Sequence, residues 1–354
     1  MTAVHQLVAS FAPRDATGNQ TIQVQGVLRD LGYESEIFVG DARPELRRRS
    51  RPFQEHPGGG WLLYQLGTGS AVADWLVGRP ERKIVNYHNI TPARFFAPWE
   101  PHVGVELDAG RRQLRQLAPL TELAIADSCF NEEELVALGY APTTVVPILL
   151  DTADFDHAVD ERALARLREQ TGTGAAWLFV SRFAPNKCQH DLMKAFAVYR
   201  RLYDPDARLR LVGGASSAAY AAALRRFADG IGLAESVDFV TDAPDATLGA
   251  HFKAADVYVS VSEHEGFAVP LLEAMHHRLP VVAFGAAAVP ETLGGAGLCL
   301  DSKSPAVVAT AVHRVLADGA LRAALVAAGT ARLATFDLAA NRRRFADAVR
   351  AVVG

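Results

Sequence analysis

Cysteine is scarce in this chain. Three occur in 354 residues, Cys129, Cys188 and Cys299, odd in number and too far apart for a Cys-x-x-Cys pair. This argues against a disulfide or zinc-ribbon framework and points to reduced thiols in a cytoplasmic protein. A basic excess is also missing: 36 Lys and Arg stand against 40 Asp and Glu, a formal charge of −4. A general nucleic-acid binder would carry the opposite balance. No run of about 18 apolar residues reads as a membrane span. The first apolar stretch, residues 4–11, lacks the basic start of a secretion signal and reads as a β-strand. Compositional bias is absent too, since 49% hydrophobic and 21% charged residues are ordinary for a globular chain.

What is present is length and rhythm. The chain exceeds the roughly 250–300 residues at which one hydrophobic core stops growing, so two domains are expected. Strand-like runs at 4–11, 35–39, 61–65, 83–86, 123–126 and 144–146 alternate with helical periodicity at 21–31, 71–76, 111–117 and 131–138. The rhythm pauses over the acidic stretch 149–161 and then restarts. Strands are expected at 176–181, 209–212, 237–240, 257–260, 281–283 and 297–300, with the clearest helices at 191–202 and 218–229 and apolar residues at helical spacing over 305–317 and 321–335. Alternation of this kind implies parallel sheets covered on both faces. The fold class is therefore α/β, with two Rossmann-like doubly wound domains facing a central cleft. We place them at residues 1–155 and 156–336, with a final amphipathic helix in 337–354 packing back toward the first.

The most informative stretch is 259–280, Val-Ser-Val-Ser-Glu-His-Glu-Gly-Phe-Ala-Val-Pro-Leu-Leu-Glu-Ala-Met-His-His-Arg-Leu-Pro. An apolar β-branched run ends in a polar turn holding Glu265 and Gly266. Pro270 then opens a helix, since its missing N–H would be unpaired in a first turn anyway. That helix start is a seat for a phosphate, with one carboxylate on each side of it. Glu265 and Glu273 are eight positions apart, or about 12 Å at helical rise. A glycosidase pair needs about 5 Å if retaining and under about 10 Å if inverting. Two carboxylates at this spacing are better suited to holding different parts of one extended ligand. Arg182 and Lys187 follow the apolar strand Trp177-Leu-Phe-Val without an evident partner in sequence, and a fork plus a point charge suit a diphosphate.

These residues resemble a known family. Glu265-Gly-Phe-Ala-Val-Pro-Leu-Leu-Glu273 is similar to the Glu-x7-Glu signature of the retaining GT-B glycosyltransferases, which include sucrose synthase and bacterial mannosyltransferases. Val180-Ser181-Arg182-Phe-Ala-Pro-Asn-Lys187 resembles the family's Gly-Arg…Lys-Gly segment, with Ser181 and Cys188 where glycines are usual. Leu209-Arg-Leu-Val-Gly-Gly, Ala126-Asp-Ser, Val145-Val-Pro and Leu279-Pro-Val-Val-Ala agree in order.

The resemblance implies a metal-independent transferase that needs no cofactor. It would move a hexosyl group from a nucleoside-diphosphate sugar, GDP-mannose or a UDP-hexose, to a hydroxyl acceptor. The acceptor would be a saccharide, a lipid-linked saccharide or a small metabolite, bound mainly by the first domain, with the donor bound mainly by the second. Attack would come from the same face, assisted by the leaving phosphate. Glu265 would bind sugar hydroxyls near the reacting carbon and Glu273 the ribose. Arg182 and Lys187 would take the diphosphate charge. Gly266 and Phe267 would offer backbone N–H groups to the sugar, and the amides near Leu272 would lie closer to the phosphate. Ser181 and Thr241 would border the nucleotide. In the first domain, Gly18 in the first strand–helix loop and His88 at the sheet mouth would approach the donor. An inactive nucleotide-sugar-binding regulator and a sugar-nucleotide 2-epimerase remain alternatives.

Other features are set aside or left open. Asp204-Pro-Asp206 falls at a helix-to-strand turn, the wrong end of a strand for a metal motif. The glycine runs at 67–69 and 294–297 are incomplete dinucleotide fingerprints. Arg43, Arg47, Arg48, Arg49 and Arg51 form a basic knot, either a solvated loop or a contact with an anionic acceptor or the inner membrane face.

Overall fold

The computed structural model of the chain describes residues 2–12, 16–156, 158–241 and 243–354. It divides into two units. Unit 1 comprises Met1–Ala97, Pro101–Asp151 and Phe336–Gly354, and unit 2 comprises Pro98–Glu100 and Thr152–Thr335.

Unit 1 runs β1 (Val4–Phe11), α1 (Ala16–Asp30), β2 (Ile37–Ala42), β3 (Arg51–Pro52), β4 (Trp61–Leu66), α2 (Ala71–Val77), β5 (Arg82–Tyr87), α3 (Pro101–Leu117), β6 (Thr121–Ala126), α4 (Cys129–Ala137) and β7 (Thr143–Val145). The strands form one seven-stranded sheet, ordered β3-β2-β1-β4-β5-β6-β7, and every pairing is parallel. All six residues of β4 are buried, as expected of a strand covered on both faces. Helix starts are sealed locally: Ser70 Oγ accepts the Ala73 N–H at 3.2 Å and Ser128 Oγ the Asn131 N–H at 3.2 Å, which satisfies N–H groups that have no partner inside the helix.

Unit 2 runs α5 (Glu161–Thr171), β8 (Ala176–Val180), α6 (Gln189–Leu202), β9 (Arg208–Val212), α7 (Ala218–Gly230), β10 (Val237–Val240), α8 (Asp245–Ala254), β11 (Val257–Ser260), α9 (Val269–His276), β12 (Val281–Phe284), α10 (Val289–Leu293), β13 (Leu298–Leu300), α11 (Pro305–Ala317) and α12 (Gly319–Leu333). Its six-stranded sheet is ordered β10-β9-β8-β11-β12-β13, again all parallel. The chain then returns to unit 1 as α13 (Leu338–Val353). Phe345 and Val349 of α13 are fully buried in the unit 1 core with Val24 and Leu28 of α1 and Leu63 of β4. Burying two side chains of this size contributes about 1.5–3 kcal/mol each.

The structure departs from the sequence reading in places that have physical causes. Helix α1 begins at Ala16, so Gly18 sits inside its first turn and not in a loop before it. A Cβ there would lie 2.2 Å from the Ala12 carbonyl oxygen, and only glycine permits that approach. Asp15, which precedes it, lies outside the described residues. Helix α5 occupies the stretch after the expected linker. Asp160 caps it by accepting from Arg162 N and Ala163 N at 3.0 and 2.9 Å, and its Ala163, Leu164 and Leu167 pack on Ala250 of α8. Gly319–Val353 also runs against expectation: by length and composition alone it would pass for a membrane span. It is broken at the 3-10 turn Ala334–Phe336. Asp337 starts a new helix by accepting the Ala340 N–H at 2.7 Å, and α12 lies on α9, with Gly329 beside Met275.

Arg210 explains how α5 and α8 are fastened to the unit 2 sheet. It is fully buried in β9, where its guanidinium donates to Leu167 O at 2.6 Å, Ala254 O at 3.3 Å and the Thr171 hydroxyl. Cations are favoured at helix C-terminal carbonyls. Next to it, burial and, less strongly, the Arg210 charge push His251 down from 6.5 to about 4. A displacement of that size is worth about 3 kcal/mol. Above pH 6.5 the ring is neutral folded and unfolded, and stability is at its full value. As pH falls below 6.5 the unfolded chain binds the proton first, and stability is lost down to about pH 4. Urea unfolding followed by Trp177 fluorescence should show His251→Gln losing about 3 kcal/mol less than wild type across that window. Parallel losses would exclude His251 as the cause.

Candidate functional site

In unit 2 the strand order reverses between β8 and β11, with β9 on one side and β12 on the other. In open parallel sheets, ligands bind beyond the carboxyl ends of the strands at such a switch point. The two segments leaving those strands carry most of the candidate residues. After β8 come Ser181, Arg182 and a 3-10 turn, Pro185–Lys187. After β11 come Ser262, Glu263, His264, Glu265 and Gly266, and then α9.

The two segments are stitched together. Asn186, 4% exposed, accepts the Glu263 N–H on its carbonyl at 2.9 Å and donates from Nδ2 to His264 O at 3.0 Å. One residue further on, Lys187 Nζ lies 2.6 Å from Glu265 Oε2, with side chains 12% and 14% exposed. The Glu265 carbonyl accepts from Ala288 N at 3.2 Å, and the Thr292 hydroxyl donates to Phe267 O. Glu265 is thus held at both its carboxylate and its carbonyl, with Phe267 fixed just beyond it.

Beneath this pair, Tyr258 of β11 donates to Val180 O at 3.0 Å, the last residue of β8. Burial, followed by the charges of Glu265 and Glu273, holds its hydroxyl well above the ordinary tyrosine range. The tyrosine is therefore a neutral donor that feels both glutamates. Glu273, in the second turn of α9, is 7% exposed, Leu272 is fully buried and Phe267 is buried at 5%. Ala268, just before α9, has φ 71° and caps the helix without a side-chain bond. Left-handed backbone in a residue with a Cβ costs roughly 1–2 kcal/mol, strain of the kind found at functional loops.

Arg182 is exposed, and its guanidinium has no hydrogen bond or ion pair among the described residues. Its backbone is braced instead. Gln189 Nε2 donates to Arg182 O at 2.9 Å and to Ser181 Oγ at 3.1 Å. Gly213, at φ 147°, passes so close that a Cβ would sit 2.1 Å from Ser181 O. Gly213→Ala should therefore cost about 3 kcal/mol, the upper end for a glycine-only conformation. A urea midpoint equal to that of wild type would show that the loop yields without cost. Thr241 is exposed beyond β10, two strands away from β8. Asp204 behaves as a turn residue, accepting from Asp206 N and Ala175 N at 3.0 and 2.7 Å.

His88 and Gly18 belong to unit 1. His88 Nδ1 is 2.7 Å from Asp127 Oδ2 and Nε2 is 2.7 Å from Gln65 Oε1. Gln65 Oε1 also accepts from Asn86 Nδ2 at 2.9 Å, and Gln65 Nε2 donates to Gln6 Oε1 at 2.8 Å. Gln6 Nε2 in turn donates to Thr21 O at 3.0 Å. A polar chain thus crosses β1, β4, β5 and the end of β6 inside the sheet. Both ring nitrogens of His88 are engaged within unit 1. Asp127 falls in the Ala126-Asp-Ser segment noted from sequence, whereas Gln6, Gln65 and Asn86 do not follow from it. For Gln65 the available signal was an amide in the otherwise apolar, wholly buried strand β4, which must find a partner.

Among the described residues, Cys188, Asp191 and Glu263 offer metal-ligand atoms within 4.8 Å of one another. Their centre is taken by the Lys303 ammonium, 2.5 Å from Asp191 Oδ2, paired with Glu263 and 3.7 Å from Cys188 Sγ.

Two all-parallel doubly wound sheets of this kind define the GT-B glycosyltransferase fold. The Anabaena protein Alr3699/HepE, solved with UDP and glucose, superimposes with a TM-score of 0.77 at 18% identity, over 99% of this chain and 100% of that one. Residues 167–332, within unit 2, match the family model described as "Glycosyl transferases group 1". The chain is similar to the GDP-mannose-dependent alpha-(1-6)-phosphatidylinositol monomannoside mannosyltransferase of Mycolicibacterium smegmatis, 32% identical over 235 residues, 63% of this chain and 60% of that protein. It is also 32% identical over 243 residues to the D-inositol 3-phosphate glycosyltransferase of Streptosporangium roseum, 66% of this chain and 55% of that protein. The match thus spans less than two thirds of the length of these relatives.

Proposed function

We propose that the chain is a retaining glycosyltransferase that moves a hexosyl group from a nucleoside-diphosphate sugar to a hydroxyl acceptor without a metal ion. One observation carries this: Lys187 and Glu265, from two different loops, are paired at the switch point of a sheet whose segment matches a glycosyltransferase family. In this reading the Lys187 ammonium and Arg182 guanidinium take up the charge that grows on the leaving diphosphate. Glu265 binds sugar hydroxyls beside the reacting carbon, and the α9 start faces the phosphate with Gly266, Phe267 and Leu272 supplying backbone groups. Glu273 accepts from the ribose, and Ser181 and Thr241 border the nucleotide. No enzyme nucleophile is assigned. The departing phosphate oxygen takes the acceptor proton as the new bond forms on the same face, and the protein contributes orientation and fixed charge. His88 acts through the rigidity of its polar chain, and Gly18 through a close backbone approach at the start of α1.

A thermal-shift panel of UDP-, GDP-, ADP- and TDP-sugars tests this. The GDP-mannose dependence named for the mycobacterial relative and the UDP of the Anabaena protein put GDP-mannose and UDP-glucose first. The true donor at about 100 times its dissociation constant adds about 2.7 kcal/mol of stability. NMR of the product should show the donor's anomeric configuration retained, with EDTA leaving the rate unchanged. An inverted product, or activity lost to EDTA and restored by magnesium, would overturn the mechanism. We assign the acceptor side to unit 1 and the protein to the cytoplasm. There Arg43, Arg48 and Arg49 are exposed and have no ion pair among the described residues, whereas Arg51 pairs with Glu36 and Glu55. We take these three arginines as the contact for an anionic acceptor or membrane.

A further inference from the structure

We propose that Lys303 is a positioning residue whose ammonium does the work of a bound metal ion, clamping the Lys187 turn to the Glu265 loop. This deepens the transferase reading and rests on it.

Lys303 lies between β13 and α11, outside both loops of the site. Its ammonium nevertheless reaches three residues that flank the Lys187–Glu265 pair. Cys188 directly follows Lys187 and, at φ 53°, both ends the 3-10 turn and starts α6. Asp191 lies in the first turn of α6 and is shared with Lys194 at 2.8 Å. Glu263 is two residues before Glu265. Donor atoms of these three lie within 4.8 Å of one another, a thiol and two carboxylates such as a divalent ion would take. The ammonium instead occupies the centre. Burial works against its charge, but hydrogen bonds to Asp191 and Glu263 outweigh it and hold Lys303 above the ordinary lysine range. Burial likewise keeps Cys188 a neutral thiol, pushed up to about 11. The geometry of a metal site is filled by a cation that the chain itself provides, and its three legs stand on the end of the Lys187 turn, the start of α6 and the Glu265 loop.

If this is so, removing the ammonium should open a real metal site, and a metal should restore what the lysine did. In Lys303→Met, donor affinity should fall about 10- to 100-fold, the size seen when an orienting partner is lost. Zinc chloride should then raise its unfolding temperature and return much of the donor affinity. Wild type, with the seat filled, should respond to neither, and Cys188→Ser/Lys303→Met should lose the zinc response. Lys303→Arg should keep part of the affinity without zinc. Lys303→Gln serves if Lys303→Met does not fold. Wild-type donor affinity in Lys303→Met, or a loss that zinc does not reverse, would overturn the proposal. The zinc-dependent unfolding shift needs no donor. If wild type bound none of the nucleotide sugars, the transferase reading would fail while this shift still decided whether the clamp exists.

Discussion

Lys187→Ala should lower kcat/KM for sugar transfer by about 100- to 1000-fold, the cost of losing one fixed charge aimed at a developing anion. The same change leaves the Glu265 carboxylate, 14% exposed, without its cation. An unsatisfied buried acceptor costs about 1–3 kcal/mol, so stability should fall as well. The double variant Lys187→Ala/Glu265→Gln separates the two effects. It removes the unpaired charge and should regain most of the stability, yet remain as inactive as the single variant. Initial rates with the donor found by the thermal-shift panel, together with urea midpoints, check this. Activity within a few-fold of wild type in Lys187→Ala would remove the lysine from the chemistry.

In unit 1 the large effect is expected at Asp127. Its side chain is 1% exposed and pairs with His88, whose other nitrogen is committed to Gln65. Asp127→Ala leaves Nδ1 of the imidazole without its partner inside the sheet and should cost up to about 3 kcal/mol, the upper range for a buried polar group left unpaired. Asp127→Asn keeps an acceptor oxygen for Nδ1 and should cost about 1 kcal/mol. Hydrogen exchange over β4, β5 and β6 reads the loss in the right unit. Equal protection in all three proteins would mean that the polar chain is ornamental.

Much of the fold was legible because parallel strands buried on both faces leave apolar runs. β11 is such a run, and β1 and β10 also fall on the bounds expected from sequence, although β10 is an edge strand with only Val237 buried. β3 was not legible, since Arg51 and Pro52 make an edge strand of two residues inside a basic stretch, placed only by its register against Phe38 and Val39. Helix α8 escaped notice for a related reason: what holds it is not an apolar stripe alone but Arg210, a charged residue in the middle of a strand. At the site, spacing and residue type exposed Glu265, Glu273, Arg182 and Lys187. Sequence could not show that Lys187 pairs with Glu265, because the two lie on loops brought together only by the strand order. The same holds for Lys303, which looks like an ordinary loop lysine until Asp191 and Glu263 are seen beside it.

The return of α13 to unit 1 has a consequence for synthesis. The core of unit 1 includes Phe345 and Val349, while nearly all of unit 2 lies in one uninterrupted stretch, Thr152–Thr335. A nascent chain therefore presents the whole of that stretch before the helix that completes the earlier unit has been translated. The unit that begins first is finished last, and a ribosome that stalls or releases before α13 leaves β1, β4 and α1 with an apolar face uncovered. Truncations that remove the last helix should for this reason yield chains that aggregate through their beginning, with unit 2 already folded.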